Sequence, residues 1–155
     1  MKLVELDIDS TVKKGVLTTN QQKARLSEII IRDHFEKHPV DSAGENYLSP
    51  CDGICPNGKT YDVKGSKLYE DKYYHFVTKN RYKEEIEIYY FLAFDDDYTK
   101  LKHGWRVPGE IVENDRFIIG LTRNCRYSID NMKKYDITDK LKDIFEIMKK
   151  DMLKK

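Results

Sequence analysis

The chain predicts an α/β (α+β) fold in which a mixed central β-sheet is flanked by helices. Three observations carry that expectation. Apolar, β-branched and aromatic runs recur between residues 46 and 121, each bounded by turn-forming residues. A stretch with helical spacing of its apolar residues precedes them, and another follows.

In chain order, residues 1–9 alternate as an edge strand would, with Leu3, Val4 and Leu6 around Glu5. Thr18 or Thr19 can cap a helix that runs to about His38, where Pro39 stops it. Strands are expected near residues 46–54, 59–68, 73–78, 86–94, 103–107 and 116–121. The closing helix, about residues 138–152, carries Leu141, Ile144, Phe145, Met148 and Met152 at helical spacing. No repeat or low-complexity linker divides the 155 residues, so one domain is expected, with its core over about residues 20–135.

Composition narrows the functional classes. With 39% hydrophobic and 35% charged residues, the chain reads as a globular protein with a heavily charged surface. No apolar run approaches the roughly 20 residues that cross a bilayer, and the amino terminus lacks a signal-peptide pattern, so a cytoplasmic location is expected. Cys51, Cys55 and Cys125 are odd in number and irregular in spacing, which argues against a disulfide framework. They also make a poor zinc site, because Cys51 and Cys55 on one strand would stand ~13 Å apart.

The net charge of +1 makes any attraction to phosphate depend on segregated patches. Residues 84–97 contain six acids and no Lys or Arg, whereas residues 123–155 contain ten bases against six acids. The carboxy-terminal lysines read first as a solvated surface. His34, His38, His75 and His103 show no spacing that suggests a nucleophilic triad, and His75 and His103 read as packing residues. The Tyr-rich strands read as core and interface, and Asp95-Asp96-Asp97 as a solvated loop.

The chemistry is concentrated in a hairpin. Pro56-Asn57-Gly58 suits a three-residue loop closed by a glycine bulge, which pairs Cys55 with Lys59. Paired residue numbers then sum to 114, and Asp52 falls opposite Asp62. The competing two-residue turn, Asn57-Gly58, gives a sum of 115 and moves Asp52 to the other face. On the second strand Asp62, Lys64 and Ser66 share a face, while Val63 points toward the core. Opposed carboxylates repel, so the first register calls for a cation between them.

On the first helix, Ala24, Glu28, Ile31 and Phe35 fall within about 60° of one another on a 100° wheel. Glu28 therefore interrupts an apolar stripe, where a carboxylate needs a cation, a hydrogen-bond partner or a route to solvent. Leu26, Ile29 and Ile30 occupy the other side, so this helix is expected to be covered on two faces.

The order of a helix with Glu28, then Asp52, then Asp62-Val63-Lys64 resembles the PD-(D/E)xK nuclease superfamily, which includes restriction enzymes, junction resolvases and some intron homing endonucleases. The later segments Tyr73-Tyr74-His75-Phe76, Tyr89-Tyr90-Phe91-Leu92-Ala93-Phe94-Asp95 and His103-Gly104-Trp105-Arg106-Val107-Pro108 are similar to those of its small endonuclease-like members. The resemblance spans about residues 20–135. In Pro50-Cys51-Asp52 one residue is inserted between proline and aspartate, Asp62 stands where Glu is commoner, and no second core helix is evident between Thr78 and Ile86.

The resemblance implies a restriction-endonuclease-like core and a Mg²⁺-dependent DNA endonuclease, with Mn²⁺ as a substitute metal. Asp52, Asp62, the Val63 carbonyl and Glu28 would hold the metal, and Lys64 would assist the attacking water. Lys59, Ser66 and Lys67 would contact phosphate. The partner would be double-stranded or junction DNA, and the assembly a homodimer or a higher symmetric oligomer. A Holliday-junction resolvase, a repair nuclease and a non-catalytic nucleic-acid-binding module on the same fold are the alternatives.

Overall fold

The computed structural model describes residues 26–35, 53–54, 60–78, 86–96 and 98–153. The expected strand at residues 1–9, the loop residues Pro56-Asn57-Gly58 and the stretch after Thr78 where the superfamily's second core helix would fall lie outside them.

The first helix, α1, covers residues 26–35, and its portion Ile30–Phe35 is π-helical. A π turn winds with i→i+5 bonds, so a wheel drawn at 100° per residue loses register from Ile30 onward. The strands are β1 (Gly53–Ile54), β2 (Thr60–Tyr69), β3 (Tyr73–Val77), β4 (Ile88–Phe94), β5 (Leu101–Pro108) and β6 (Arg116–Gly120). The closing helix α2 is Thr138–Leu153. The strand expected at residues 103–107 starts two residues earlier, because its hairpin with β4 extends to the Phe94↔Leu101 pair.

Strand order is β5-β4-β2-β3-β6, with β1 joining β2 off that path. The β2/β4 pair is parallel from Tyr61↔Ile88 to Lys67↔Phe94, and the other pairs are antiparallel, so the sheet is mixed. Every residue of β4 is buried. A strand buried on both faces needs layers on both sides, and its unbroken apolar run is the sequence trace of that demand.

Alternation divides the core in two. Tyr61, Val63, Tyr90, Leu92 and Phe94 face Leu26, Ile29, Ile30 and Ile31 of α1 and Leu141, Phe145 and Met148 of α2. Tyr89, Phe91, Ala93, Trp105 and Val107 face an aromatic core completed by Tyr74, Phe76 and Phe117 from β3 and β6. The Phe76 and Phe91 rings lie 4.5 Å apart, so the sheet curls until its own end strands cover this inner face.

Two glycines allow the helices to approach. A β-carbon at Gly65 would collide with the Ser27 hydroxyl of α1, and one at Gly104 would collide with Leu141 of α2. The amide of Gly104 donates to Thr138 Oγ1 at 3.0 Å, and the amide of Thr138 donates to Asp136 Oδ1 at 2.7 Å, which ties the start of α2 to β5. At the other end Lys149 Nζ donates to the Thr99 carbonyl at 2.7 Å, reaching the β4–β5 turn. That turn corrects the expectation of a merely solvated loop. The Asp95 carboxylate accepts from Thr99 N, Thr99 Oγ1 and Lys100 N at 2.8, 2.8 and 3.1 Å, so this acid builds the turn.

The β2–β3 turn is strained. Glu70 and Asp71 have φ of 53° and 54°, a left-handed pair that suits Asn-Gly and disfavours larger side chains. Replacing Glu70-Asp71 with Asn-Gly should stabilise the protein by about 1–2 kcal/mol. Chemical denaturation and thermal melting would check this, with a midpoint rise of about 2–4 °C per kcal/mol for a chain of this size.

Candidate active site

The pairing Gly53↔Tyr61 and Ile54↔Thr60 has residue numbers that sum to 114, the register expected from a Pro-Asn-Gly loop. Asp52 and Lys59 lie outside the described residues. On β2 the side chains separate as alternation requires. Tyr61 and Val63 enter the helix-side core, whereas Asp62, Lys64 and Ser66 turn to the inner face. There Asp62 stands beside Tyr89, Lys64 beside Phe91, and Ser66 beside Ala93, and the next row on β5 is Val107, Trp105 and His103.

Asp62 and Lys64 form an ion pair, with Nζ 3.0 Å from Oδ2. The side chain of Asp62 is 6% exposed and that of Lys64 30%, so the lysine joins a buried carboxylate to the surface. Among the described residues Oδ2 takes no hydrogen bond, and neither does the buried Tyr89 hydroxyl. The ammonium of Lys64 is the charge that offsets this buried oxygen. Burial, reinforced by the negative charge of Asp62, pushes the Tyr89 phenol above its ordinary value of 10, which keeps it neutral at physiological pH.

The other expected site residues are spread over the fold. Glu28 is half-buried on α1, the helix that packs against Tyr61 and Val63, whereas Asp62 and Lys64 are on the inner face. Ser66, expected at a phosphate, is 2% exposed and committed internally: its hydroxyl donates to the Lys67 carbonyl at 2.7 Å and accepts the His75 amide at 3.1 Å. Lys67 holds its ammonium 5.5 Å from the centre of the Tyr69 ring. Among the described residues, no group of three or more His, Cys, Asp or Glu could hold a metal ion. One carboxylate and a neighbouring cation are what β2 itself provides.

No protein-family model matches the chain, and no curated protein matches it.

Sequence reasoning missed the surroundings of Asp62. Tyr89, 27 positions further along the chain, becomes its neighbour through parallel pairing, for which a single sequence carries no local signal. His75 and His103 take packing roles, as expected. The His103 ring stacks 5.4 Å from Trp105 and meets Tyr74 edge-on at 5.8 Å, and the His75 ring meets Tyr69 at 6.3 Å. Burial lowers the His103 pKa below 6.5; Asp136 opposes that shift, and Lys142 and Lys102 add to it.

These environments set two expected outcomes. Lys64→Met should destabilise the fold by about 2 kcal/mol by stranding the Asp62 carboxylate, and adding Asp62→Leu should recover most of that loss; urea titrations of the four proteins of this cycle would measure both. Because His103 is depressed in the folded state, the stability it contributes is present above 6.5 and is lost as pH falls through the folded-state value. Unfolding free energy measured against pH should therefore drop on the acid side, and His103→Gln should flatten that drop.

Proposed function

We propose that this chain is a metal-dependent DNA endonuclease of the PD-(D/E)xK kind, hydrolysing phosphodiester bonds. The observation that carries the reading is the Asp62-Val63-Lys64 segment: a carboxylate and an ammonium 3.0 Å apart on one face of a strand that is hydrogen-bonded to β1 in the expected register.

A hard divalent cation prefers oxygen ligands and is satisfied by one or two carboxylates, with phosphate and water completing its shell. The Asp62 carboxylate supplies one such group. Asp52 is the proposed second carboxylate and the Val63 carbonyl a further oxygen, whereas Glu28, on the helix that covers the opposite face of β2, is left out of this set. When bound, Mg²⁺ (or Mn²⁺ in its place) polarises the phosphoryl oxygen and makes its water more acidic. Lys64 orients the attacking water and offsets the charge that builds on the phosphorus centre. Neutral Tyr89 spares Asp62 a second negative charge in the same row. The products carry a 5′-phosphate and a 3′-hydroxyl, and cutting both strands of a duplex calls for two copies in a symmetric dimer.

A second reading has its own support. The 6% exposure of the Asp62 side chain suits a structural ion pair in a non-catalytic nucleic-acid-binding module. Incubation with supercoiled plasmid, a four-way junction and single-stranded DNA, with Mg²⁺ or with EDTA, separates the two. The nuclease should cut only with metal, lose cutting in Asp62→Ala, and slow by about 10²–10³ in Lys64→Ala. If the wild-type chain binds DNA yet cuts none of these substrates, the endonuclease reading fails. Preference for the junction would make it a resolvase.

A further inference from the structure

A second charged feature lies at the far end of the sheet. Between the start of β5 and the outer turns of α2 is a groove of about 240 Å³, lined by Lys100, Leu101, Lys102, Lys142, Phe145 and Glu146. Its floor is apolar, with Leu101 and Phe145 buried, and its rim is exposed lysine. The one acid in the lining, Glu146, is held by Lys149 at 2.8 Å, and Lys149 is anchored in turn on the Thr99 carbonyl. Among the described residues, the ammonium groups of Lys100, Lys102 and Lys142 have no carboxylate partner. Three uncompensated positive charges therefore converge on one depression, and folding holds them together at a cost in mutual repulsion.

We infer that this groove binds a phosphate of a nucleic-acid backbone. Lysine ammonium groups engage phosphate as point charges without the planar geometry that arginine imposes, and a polymer of phosphates can meet several rim lysines at once. The groove does not hold the scissile phosphate. Five residue steps along β4 lead from Tyr89, beside Asp62, to Phe94, beside Leu101, which is roughly 17 Å at strand rise, and the groove opens on the helix side of the sheet. It is an anchoring site remote from the chemistry, and only the choice of nucleic acid as the polymer rests on the nuclease reading.

Binding of fluorescein-labelled duplex and single-stranded DNA, followed by anisotropy in EDTA across a range of salt, tests the assignment without cleavage. Lys100→Gln, Lys102→Gln and Lys142→Gln together should weaken binding and reduce the slope of log affinity against log salt by about two to three units, at roughly 0.9 for each duplex phosphate that is no longer neutralised. A control variant with the same charge change, Lys72→Gln, Lys140→Gln and Lys150→Gln, should change the slope by less than one unit. Equal losses in the two variants, an unchanged slope in the first, or no DNA binding by the wild type would each overturn the inference. So would inorganic phosphate shifting the Lys100 and Lys102 amide resonances while the groove variant binds DNA as well as wild type, since the site would then serve a small anion. Cleavage by the wild-type chain with Mg²⁺, run in parallel, reads the nuclease activity separately. Failure of cleavage with intact groove binding removes the nuclease reading alone.

Discussion

Parallel pairing of β2 with β4 is the constraint on which the rest of this structure depends. It places a fully buried strand, β4, between β2 and β5, so both faces must be covered, and it seats β2 with Asp62 and Lys64 turned one way and Tyr61 and Val63 the other. The same pairing brings the Tyr89 phenol beside the Asp62 carboxylate. Removing the Lys64 ammonium alone would leave the Asp62 carboxylate uncompensated beside an aromatic core.

The two faces are covered by different means. On one side α1 and α2 close down through Gly65 and Gly104, where the lack of a side chain lets a hydroxyl and a leucine approach the sheet. On the other, the sheet supplies its own cover by curling until β3 and β6 lie over β4. That inner cover is rich in rings, and among the described residues the buried side-chain atoms with no hydrogen bond, Asp62 Oδ2, Tyr89 Oη, His75 Nε2 and Trp105 Nε1, come from strands that contribute to it.

Local features of the chain were legible, and features that depend on distant neighbours were not. The β1/β2 register followed from turn chemistry, the opposite directions of Asp62 and Val63 from strand periodicity, and the positions of β2 to β6 and α2 to within about two residues from apolar runs. The π-helical part of α1 was invisible, since a wheel assumes the winding that it is used to test, and so the stripe built around Glu28 does not carry over to residues beyond Ile30. Ser66 looked available because the bond that its hydroxyl accepts from the His75 amide depends on β3 lying alongside. Asp95 looked like one of three solvated acids because its acceptor role depends on the path of Tyr98 to Lys100.

The β1/β2 register also limits which changes in length the chain can tolerate. Surface connections between strands ordinarily accept insertions and deletions freely. Between Ile54 and Thr60 that freedom is curtailed, because β2 is held by β4 whatever precedes it. A slip of β1 by one residue against β2 would exchange the backbone partners that Gly53 and Ile54 now have in Tyr61 and Thr60, with no change in any residue's identity. Keeping the present pairing therefore constrains the spacing of this connection more than the identity of its residues.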